Sequence, residues 1–95
     1  MLYTVSRSPT CCDLPALLRL TAPGDDLLLW QDGVVAGLDG SASLALLLNA
    51  PVTLYALSDD LDARGLSAHL DCHIIRISYQ QLVELTQKHP AQVAW

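Results

Sequence analysis

Hydrophobic positions along the chain form short apolar blocks separated by segments with helical spacing. The blocks cover residues 2–5, 27–30, 52–57 and 74–77, and each is followed by a polar loop or turn. The block at residues 27–30 is apolar without interruption, which is typical of a central strand covered on both faces. Strands that alternate with helices indicate a mostly parallel sheet. The pattern predicts an α/β domain with a mostly parallel sheet of four to five strands flanked by helices.

Capping residues predict the first two helices. Asp13 can cap a helix over residues 14–20, because its carboxylate can accept a hydrogen bond from a free backbone N–H of the first turn. Pro15 falls in that turn, where its missing backbone N–H costs no hydrogen bond of the helix. A second helix over residues 41–49 starts at a serine and cannot continue through the proline that follows. Between the second strand and this helix, residues 34–40 fit either a helical turn or a short extra strand.

Serine residues also predict the starts of two later helices. Ser58 is expected to cap a helix with two aspartates in its first turn, and Gly65 can supply the left-handed residue after it. Ser78 and Gln81 have the spacing of a capping box, which predicts the start of the last helix. Four residues share one face of that helix at helical spacing: Tyr79, Leu82, Val83 and Thr86.

An apolar tail over residues 91–95 follows the last helix, which the His89-Pro90 step stops. Trp95 is a large aromatic residue at the last position, and it would leave apolar surface in water unless it docks. Docking on the chain's own sheet and docking on another subunit are equally good interpretations. Since tryptophan is enriched among interface anchors, Trp95 is a candidate interface residue.

Composition describes one small, apolar and acidic domain over residues 1–95. Apolar side chains make up 52% of the chain and charged ones 16%, against a usual charged share of about 25%. This length excludes two domains, and the apolar excess excludes disorder. A chain this short leaves much of its apolar surface in water if it folds alone, which suggests a protein partner. The net charge of −5, with its five cations scattered singly, argues against direct nucleic-acid binding.

Neither a membrane anchor nor a signal peptide is expected. Residues 40–58 carry no charge over a length nominally sufficient to cross a bilayer, but Asn49 and Pro51 interrupt the segment. The first residues lack a basic head followed by an apolar run. The chain is therefore predicted to be cytoplasmic.

The three cysteines do not predict a disulfide framework, because the count is odd and Cys11 and Cys12 are adjacent. In a parallel sheet, functional groups collect at the carboxyl ends of strands, which makes these two thiols and Asp32 the candidates for chemistry. A thiol just before a helix can have a lowered pKa, and its thiolate could then accept sulfur as a persulfide. The alternative is that both cysteines are small side chains in a loop.

Neither a metal site nor a cofactor site is expected. Asp71, Cys72 and His73 are consecutive, with His69 nearby, but zinc sites usually take four ligands in paired short spacings, and neighbouring side chains are not expected to point one way. The glycines in residues 37–40 lack the spacing of a phosphate-binding loop. We therefore predict no catalytic metal, no nucleotide and no other cofactor.

Three blocks of sequence carry a resemblance to a known family. They are LLLWQDGV at residues 27–34, VTLYAL at 52–57 followed by DLDARGL at 60–66, and LTQKHPAQVAW at 85–95. Together with the Arg7-Ser8-Pro9 step, these blocks resemble the DsrH/TusB family over almost the whole chain. The resemblance implies a DsrEFH-like α/β fold.

The same resemblance implies membership of a heterohexamer, a dimer of trimers with TusC-like and TusD-like subunits. Such a complex passes persulfide sulfur from TusA to TusE for 2-thiolation of the wobble uridine in certain tRNAs. Its sulfur-carrying cysteine belongs to the TusD-like subunit, so no catalytic residue carries over to this chain. Some relatives in sulfur-oxidising bacteria have a cysteine in the first helix, where this chain has Leu17 and its neighbours. Its absence favours the tRNA pathway over a dissimilatory one.

Two hypotheses of different class follow from these residues. In the first, the chain is a non-catalytic subunit of a sulfur-relay complex. In the second, it is a sulfurtransferase in its own right, carrying persulfide sulfur on Cys11 or Cys12, in a dissimilatory sulfur pathway if not in tRNA thiolation.

Overall fold

Five short strands form one sheet in which every neighbouring pair is parallel. The computed structural model describes all residues from 1 to 95. The strands are β1 (Leu2–Val5), β2 (Asp26–Leu29), β3 (Thr53–Leu57), β4 (Ile75–Ile77) and β5 (Gln92–Ala94). Their order across the sheet is β4-β3-β2-β1-β5. The predicted α/β fold with a mostly parallel sheet of four to five strands is confirmed.

Helices cover both faces of this sheet. They are α1 (Leu14–Leu18), α2 (Leu44–Asn49), α3 (Ser58–Ala63) and α4 (Tyr79–Lys88), with short 3₁₀ helices at Gln31–Gly37 and Ser67–His69. None of them combines the length and the apolar character that a transmembrane segment requires.

The strand order explains why the two faces are covered unequally. Strands β1 to β4 lie side by side in chain order, so crossovers of one hand stack α1, α2 and α3 on the same face. Strand β5 returns to the far side of β1, and α4 therefore crosses the opposite face. The first face holds a core of 14 buried residues, whereas the second holds four: Leu2, Leu28, Ile77 and Leu85.

Strand β2 lies at the centre of the sheet, as its continuous apolar run predicts. All four of its residues are buried, because α4 covers one of its faces and the other helices cover the opposite face. The strand begins one residue earlier than expected, at Asp26, and ends at Leu29. Of the two alternatives for residues 34–40, the helical turn is the one observed, since the 3₁₀ helix occupies most of this segment. The fifth strand is instead the apolar tail.

Several helix boundaries differ from the sequence-based expectation. Asp13 caps α1 as predicted and accepts a hydrogen bond from the Ala16 N–H at 3.1 Å, but α1 ends at Leu18 instead of continuing to residue 20. Helix α2 begins later than predicted, at Leu44. The prediction that Ser58 caps α3 is wrong, because Ser58 is already helical and the capping position makes no side-chain hydrogen bond. Gly65 follows α3 with a φ of +66°, as expected.

The capping box at the start of α4 is confirmed. The Ser78 side chain accepts from the Gln81 N–H at 3.3 Å, and the Gln81 side chain accepts from the Ser78 N–H at 2.9 Å. The face predicted from helical spacing is only partly buried: Leu82 packs against the smaller core, but Tyr79 and Val83 are each more than half exposed. The side of α4 that faces the sheet is shifted from the predicted one: it includes Leu82 and is centred on Leu85, the buried residue of the helix.

A buried hydrogen bond connects the residue after α4 to the centre of the sheet. Asp26, the first residue of β2, is 3% exposed, and His89, which ends α4, is 8% exposed. The His89 Nε2 lies 2.7 Å from the Asp26 Oδ2, and the Lys88 ammonium lies 3.3 Å from the same oxygen. Since a charge is buried only where it is paired, this contact holds the α4–β5 turn against β2.

Candidate functional site

The candidate thiols lie at the carboxyl ends of β1 and β5. The loop after β1 and the end of β5 enclose a shallow cavity of about 400 Å³, lined by Arg7, Cys11, Cys12, Asp13, Ala94 and Trp95. Strand β5 lies on the opposite side of β1 from β2, and ligands of open parallel sheets bind where the strand order changes direction in this way. The structure therefore brings both cysteines and Trp95 together at one edge of the sheet.

The two thiols differ in environment, and neither is in a disulfide bond. Cys11 is exposed, whereas Cys12 is half-buried and packs against the larger core. This burial raises the pKa of the Cys12 thiol above its ordinary value, because removal from water disfavours the charged thiolate. The Arg7 guanidinium opposes the shift without cancelling it. Of the two alternatives for Cys12, the raised pKa favours a small side chain in a loop over a persulfide carrier.

Alkylation of the thiols by iodoacetamide should reveal this difference. The half-maximal rate for Cys12 is expected at a pH above the ordinary thiol value, because the reactive species is the thiolate. An Arg7→Ala variant should move the Cys12 midpoint to still higher pH, since it removes the nearby positive charge. Rates at each cysteine can be followed by peptide mass spectrometry between pH 6 and pH 11. A midpoint near neutral pH for Cys12 would contradict the raised pKa.

Trp95 docks on its own chain. Its backbone N–H donates to the Thr4 carbonyl at 2.7 Å, and its own carbonyl accepts from the Ser6 N–H at 3.3 Å, which extends the β1–β5 pairing. The half-buried indole ring packs against the larger core, and its Nε1 donates to the Asp13 carbonyl at 3.2 Å. Of the two alternatives for the tail, folding back is the one observed, and a role of Trp95 in an interface stays a prediction.

A Trp95→Ala variant is expected to lose about 2 kcal/mol of unfolding free energy, because it removes a half-buried aromatic ring and one of the two hydrogen bonds that the Asp13 carbonyl accepts. Urea unfolding followed by circular dichroism measures the loss. Gln92→Ala provides the control, since Gln92 lies at the exposed start of the same strand and should change stability by less than about 0.5 kcal/mol. Equal stability of both variants would show that the Trp95 side chain does not contribute to folding.

Asp32 lies away from the thiols, at the carboxyl ends of β2 and β3. The Arg64 guanidinium contacts the Asp32 Oδ1 at 3.0 Å and the Asp60 Oδ1 at 3.6 Å. The Gln31 N–H donates to the other Asp60 oxygen at 2.7 Å, and Gln31 has a φ of +52°. Sequence reasoning missed this network, although its members belong to two of the blocks that carry the family resemblance. The network ties the loop after β2 to α3, and no nucleophile or histidine takes part in it.

A second cluster of polar side chains lies in the turn before β4. The carboxylate of Asp71, the thiol of Cys72 and the imidazole of His73 each offer one ligand atom, and these atoms all lie within 4.8 Å of one another. The expectation that neighbouring side chains cannot point one way is therefore wrong, because the tight turn brings them together. His69, which the sequence places nearby, is not part of the cluster.

Comparison with known proteins defines the class of this domain. The family model described as DsrH like protein matches residues 7–92. In a solved structure, the solution NMR structure of protein Tm0979 from Thermotoga maritima, the same fold recurs with a TM-score of 0.68 and 25% sequence identity, covering 94% of each chain. The chain is thus a small α/β domain of the DsrH type.

Relatives with higher sequence identity identify the family within this class. Protein TusB of Serratia proteamaculans is 70% identical, that of Sodalis glossinidius 59% and that of Escherichia coli K12 54%, and each comparison covers the whole of both chains. The chain belongs to the DsrH/TusB family, and the resemblance found from the sequence blocks is confirmed.

Proposed function

We propose that this chain is a non-catalytic subunit of a TusBCD-type complex that passes persulfide sulfur from TusA to TusE for 2-thiolation of the tRNA wobble uridine. Its partners are TusC-like and TusD-like subunits in a dimer of trimers, with no direct contact to nucleic acid. The full-length identity of 70% to a Protein TusB carries this proposal. Membership of the DsrH/TusB family supports a role in the tRNA sulfur-relay pathway.

Exposed apolar surface supports a role within an assembly. Large hydrophobic side chains remain 40% exposed or more on both layers of the domain: Met1, Leu20, Leu46, Leu48, Ile75, Tyr79 and Val83. On the layer of α1 and α2, Leu46 also lines a groove of about 370 Å³. Apolar side chains at the border of a groove are a feature of protein interaction sites.

The environment of Cys11 and Cys12 also favours a structural role. Burial raises the pKa of Cys12, so its thiol is protonated at neutral pH and is a poor acceptor of sulfur. Cys11 is exposed, and its sulfur lies 3.8 Å from the hydroxyl of Thr10. Neither thiol is paired with a histidine that could accept its proton. These features favour the structural subunit over the carrier on Cys11 or Cys12.

Reconstitution of the complex tests the proposal. The chain is co-expressed with the TusC-like and TusD-like proteins of the same host, and native mass spectrometry determines the composition of the product. After loading with sulfur from a TusA-like donor, persulfides are trapped by alkylation and mapped by peptide mass spectrometry. We expect a hexamer with label on the TusD-like subunit alone. Failure of the three chains to assemble would overturn the proposed membership.

A cysteine variant separates the two roles within an intact complex. The double variant Cys11→Ser/Cys12→Ser is expected to support tRNA thiolation at the wild-type level, because neither thiol carries sulfur. The matched control replaces the sulfur-carrying cysteine of the TusD-like partner and should abolish thiolation. Label on Cys11 or Cys12, or loss of thiolation by the double variant in an assembled complex, would identify the chain as a carrier in its own right.

A further inference from the structure

We propose that Asp71, Cys72 and His73 form a binding site for a divalent transition-metal ion such as Zn²⁺. Their ligand atoms are a carboxylate oxygen, a thiol sulfur and an imidazole nitrogen, and all three lie within 4.8 Å of one another. The three residues occupy the turn before β4, away from the cysteine pair at the carboxyl ends of β1 and β5. The site is independent of the sulfur-relay role.

The distances within the cluster suit a single ion. The His73 Nδ1 lies 3.0 Å from the Asp71 Oδ2 and 3.7 Å from the Cys72 Sγ. Zinc bonds to oxygen and nitrogen are about 2.0 to 2.2 Å long and those to sulfur about 2.3 Å, so ligands of one ion are separated by distances of this size. Three protein ligands leave the fourth position of a tetrahedral ion open to water, as in other three-ligand zinc sites.

The same distances argue against a relay of protons to a nucleophile. In such a relay, the carboxylate and the nucleophile contact opposite nitrogens of the imidazole ring. Here the Asp71 oxygen and the Cys72 sulfur both approach Nδ1. The three ligand atoms therefore lie on the same side of the imidazole ring, within 4.8 Å of one another, as chelation of one ion requires.

Backbone hydrogen bonds hold the turn in this shape without any ion. The Asp71 Oδ2 accepts from the His73 N–H at 2.9 Å, and the Asp71 carbonyl accepts from the Ile74 N–H at 3.2 Å. The Asp71 N–H donates to the Gly37 carbonyl at 3.0 Å, which anchors the turn to the 3₁₀ helix. Ile74 is 4% exposed and fixes the other end in the core. Since the ligands are already arranged, binding an ion requires little further ordering of the chain.

The donor set selects the kind of ion. Thiolate and imidazole ligands favour zinc and the later transition metals, whereas magnesium and calcium prefer oxygen ligands alone. The side chain of Asp71 is 12% exposed and that of His73 is 70% exposed, so an ion can enter from solvent and remain held at the protein surface. On binding, the Cys72 thiol releases its proton to solvent, and the neutral His73 imidazole keeps its one proton on Nε2 so that Nδ1 can bind the ion.

Titration of the full-length chain with Co²⁺, a spectroscopic substitute for Zn²⁺, tests the site. We expect a saturable near-ultraviolet band from the cobalt–thiolate bond, lost in Cys72→Ser and reversed by added Zn²⁺. His73→Ala should weaken Co²⁺ binding by roughly tenfold or more, because it removes one of three ligands. Circular dichroism of each variant confirms that the chain is folded, which is expected because both replaced side chains are exposed.

Two exposed residues outside the cluster provide matched controls. Cys11→Ser removes another accessible thiol, and His69→Ala removes a nearby imidazole, so neither should change the band or the affinity. A band that persists in Cys72→Ser, or disappears in Cys11→Ser, would place the metal on the other cysteines and overturn the proposal. The absence of any saturable band from the wild-type chain would also overturn it.

Discussion

Replacement of His89 by alanine is expected to lower the free energy of unfolding by about 3 kcal/mol. The substitution leaves the carboxylate of Asp26 buried at 3% exposure, without the imidazole that lies 2.7 Å from it in the wild-type protein. The ammonium of Lys88 remains 3.3 Å away, but its side chain is 62% exposed and provides only a screened contact. A buried charge that loses its main partner is strongly unfavourable, and this residue also holds the turn into β5.

Urea unfolding at neutral pH measures this loss, and two controls identify its origin. His69→Ala removes an exposed histidine and should change stability by less than about 0.5 kcal/mol. Adding Asp26→Asn to His89→Ala should recover part of the lost stability, because it removes the unpaired charge. A His89→Ala variant as stable as the His69→Ala control would show that the contact between His89 and Asp26 does not stabilise the fold.

Replacement of Gly33 by alanine is expected to destabilise the protein by about 3 kcal/mol or more. An added Cβ would lie 2.0 Å from the carbonyl oxygen of Val5 and 2.8 Å from its carbonyl carbon. That oxygen accepts a hydrogen bond from the Trp30 N–H at 3.1 Å, so the end of β1 cannot move away without breaking the contact with the segment after β2. The clash is with backbone, and no rotation of a side chain relieves it.

Gly37→Ala is the matched comparison, since this glycine belongs to the same 3₁₀ helix. Its added Cβ would meet the side-chain ends of Ile74 at 2.7 Å and Leu29 at 2.9 Å, which can rotate in part. We therefore expect a smaller loss for Gly37→Ala, of about 1 to 2 kcal/mol, by thermal and urea unfolding of both variants. A Gly33→Ala variant more stable than Gly37→Ala would mean that Gly33 does not pack closely against the end of β1.

The sequence blocks that resemble the DsrH/TusB family contain residues that stabilise the fold of this chain. Gly33 allows β1 to approach the segment after β2, and Arg64 joins that segment to α3. His89 pairs with the buried Asp26, and Trp95 completes the pairing of β5 with β1. None of these residues forms a nucleophilic centre.

Local sequence was sufficient to predict most elements of the fold. Apolar blocks predicted four of the five strands, and the Asp13 cap and the Ser78–Gln81 capping box correctly placed the starts of α1 and α4. These signals succeed because a strand or a helix start depends on residues a few positions apart. The prediction of Ser58 as a cap failed because β3 passes directly into α3. The last residue of the strand, Leu57, occupies the capping position, and Ser58 is already helical.

Contacts between distant residues required the tertiary structure. Asp26 and His89 are separated by 63 positions, and neither carries a local signal that it will be buried or paired. The apolar tail becomes a strand only because β1 has a free edge beside it, and the raised pKa of Cys12 arises from its packing against the core. The sequence by itself determined the fold class and the family, because periodicity, capping and recognisable blocks are local properties of the chain. The strand order, the buried contact between Asp26 and His89 and the environment of the thiols depend on which distant segments meet, and only the folded chain decides that.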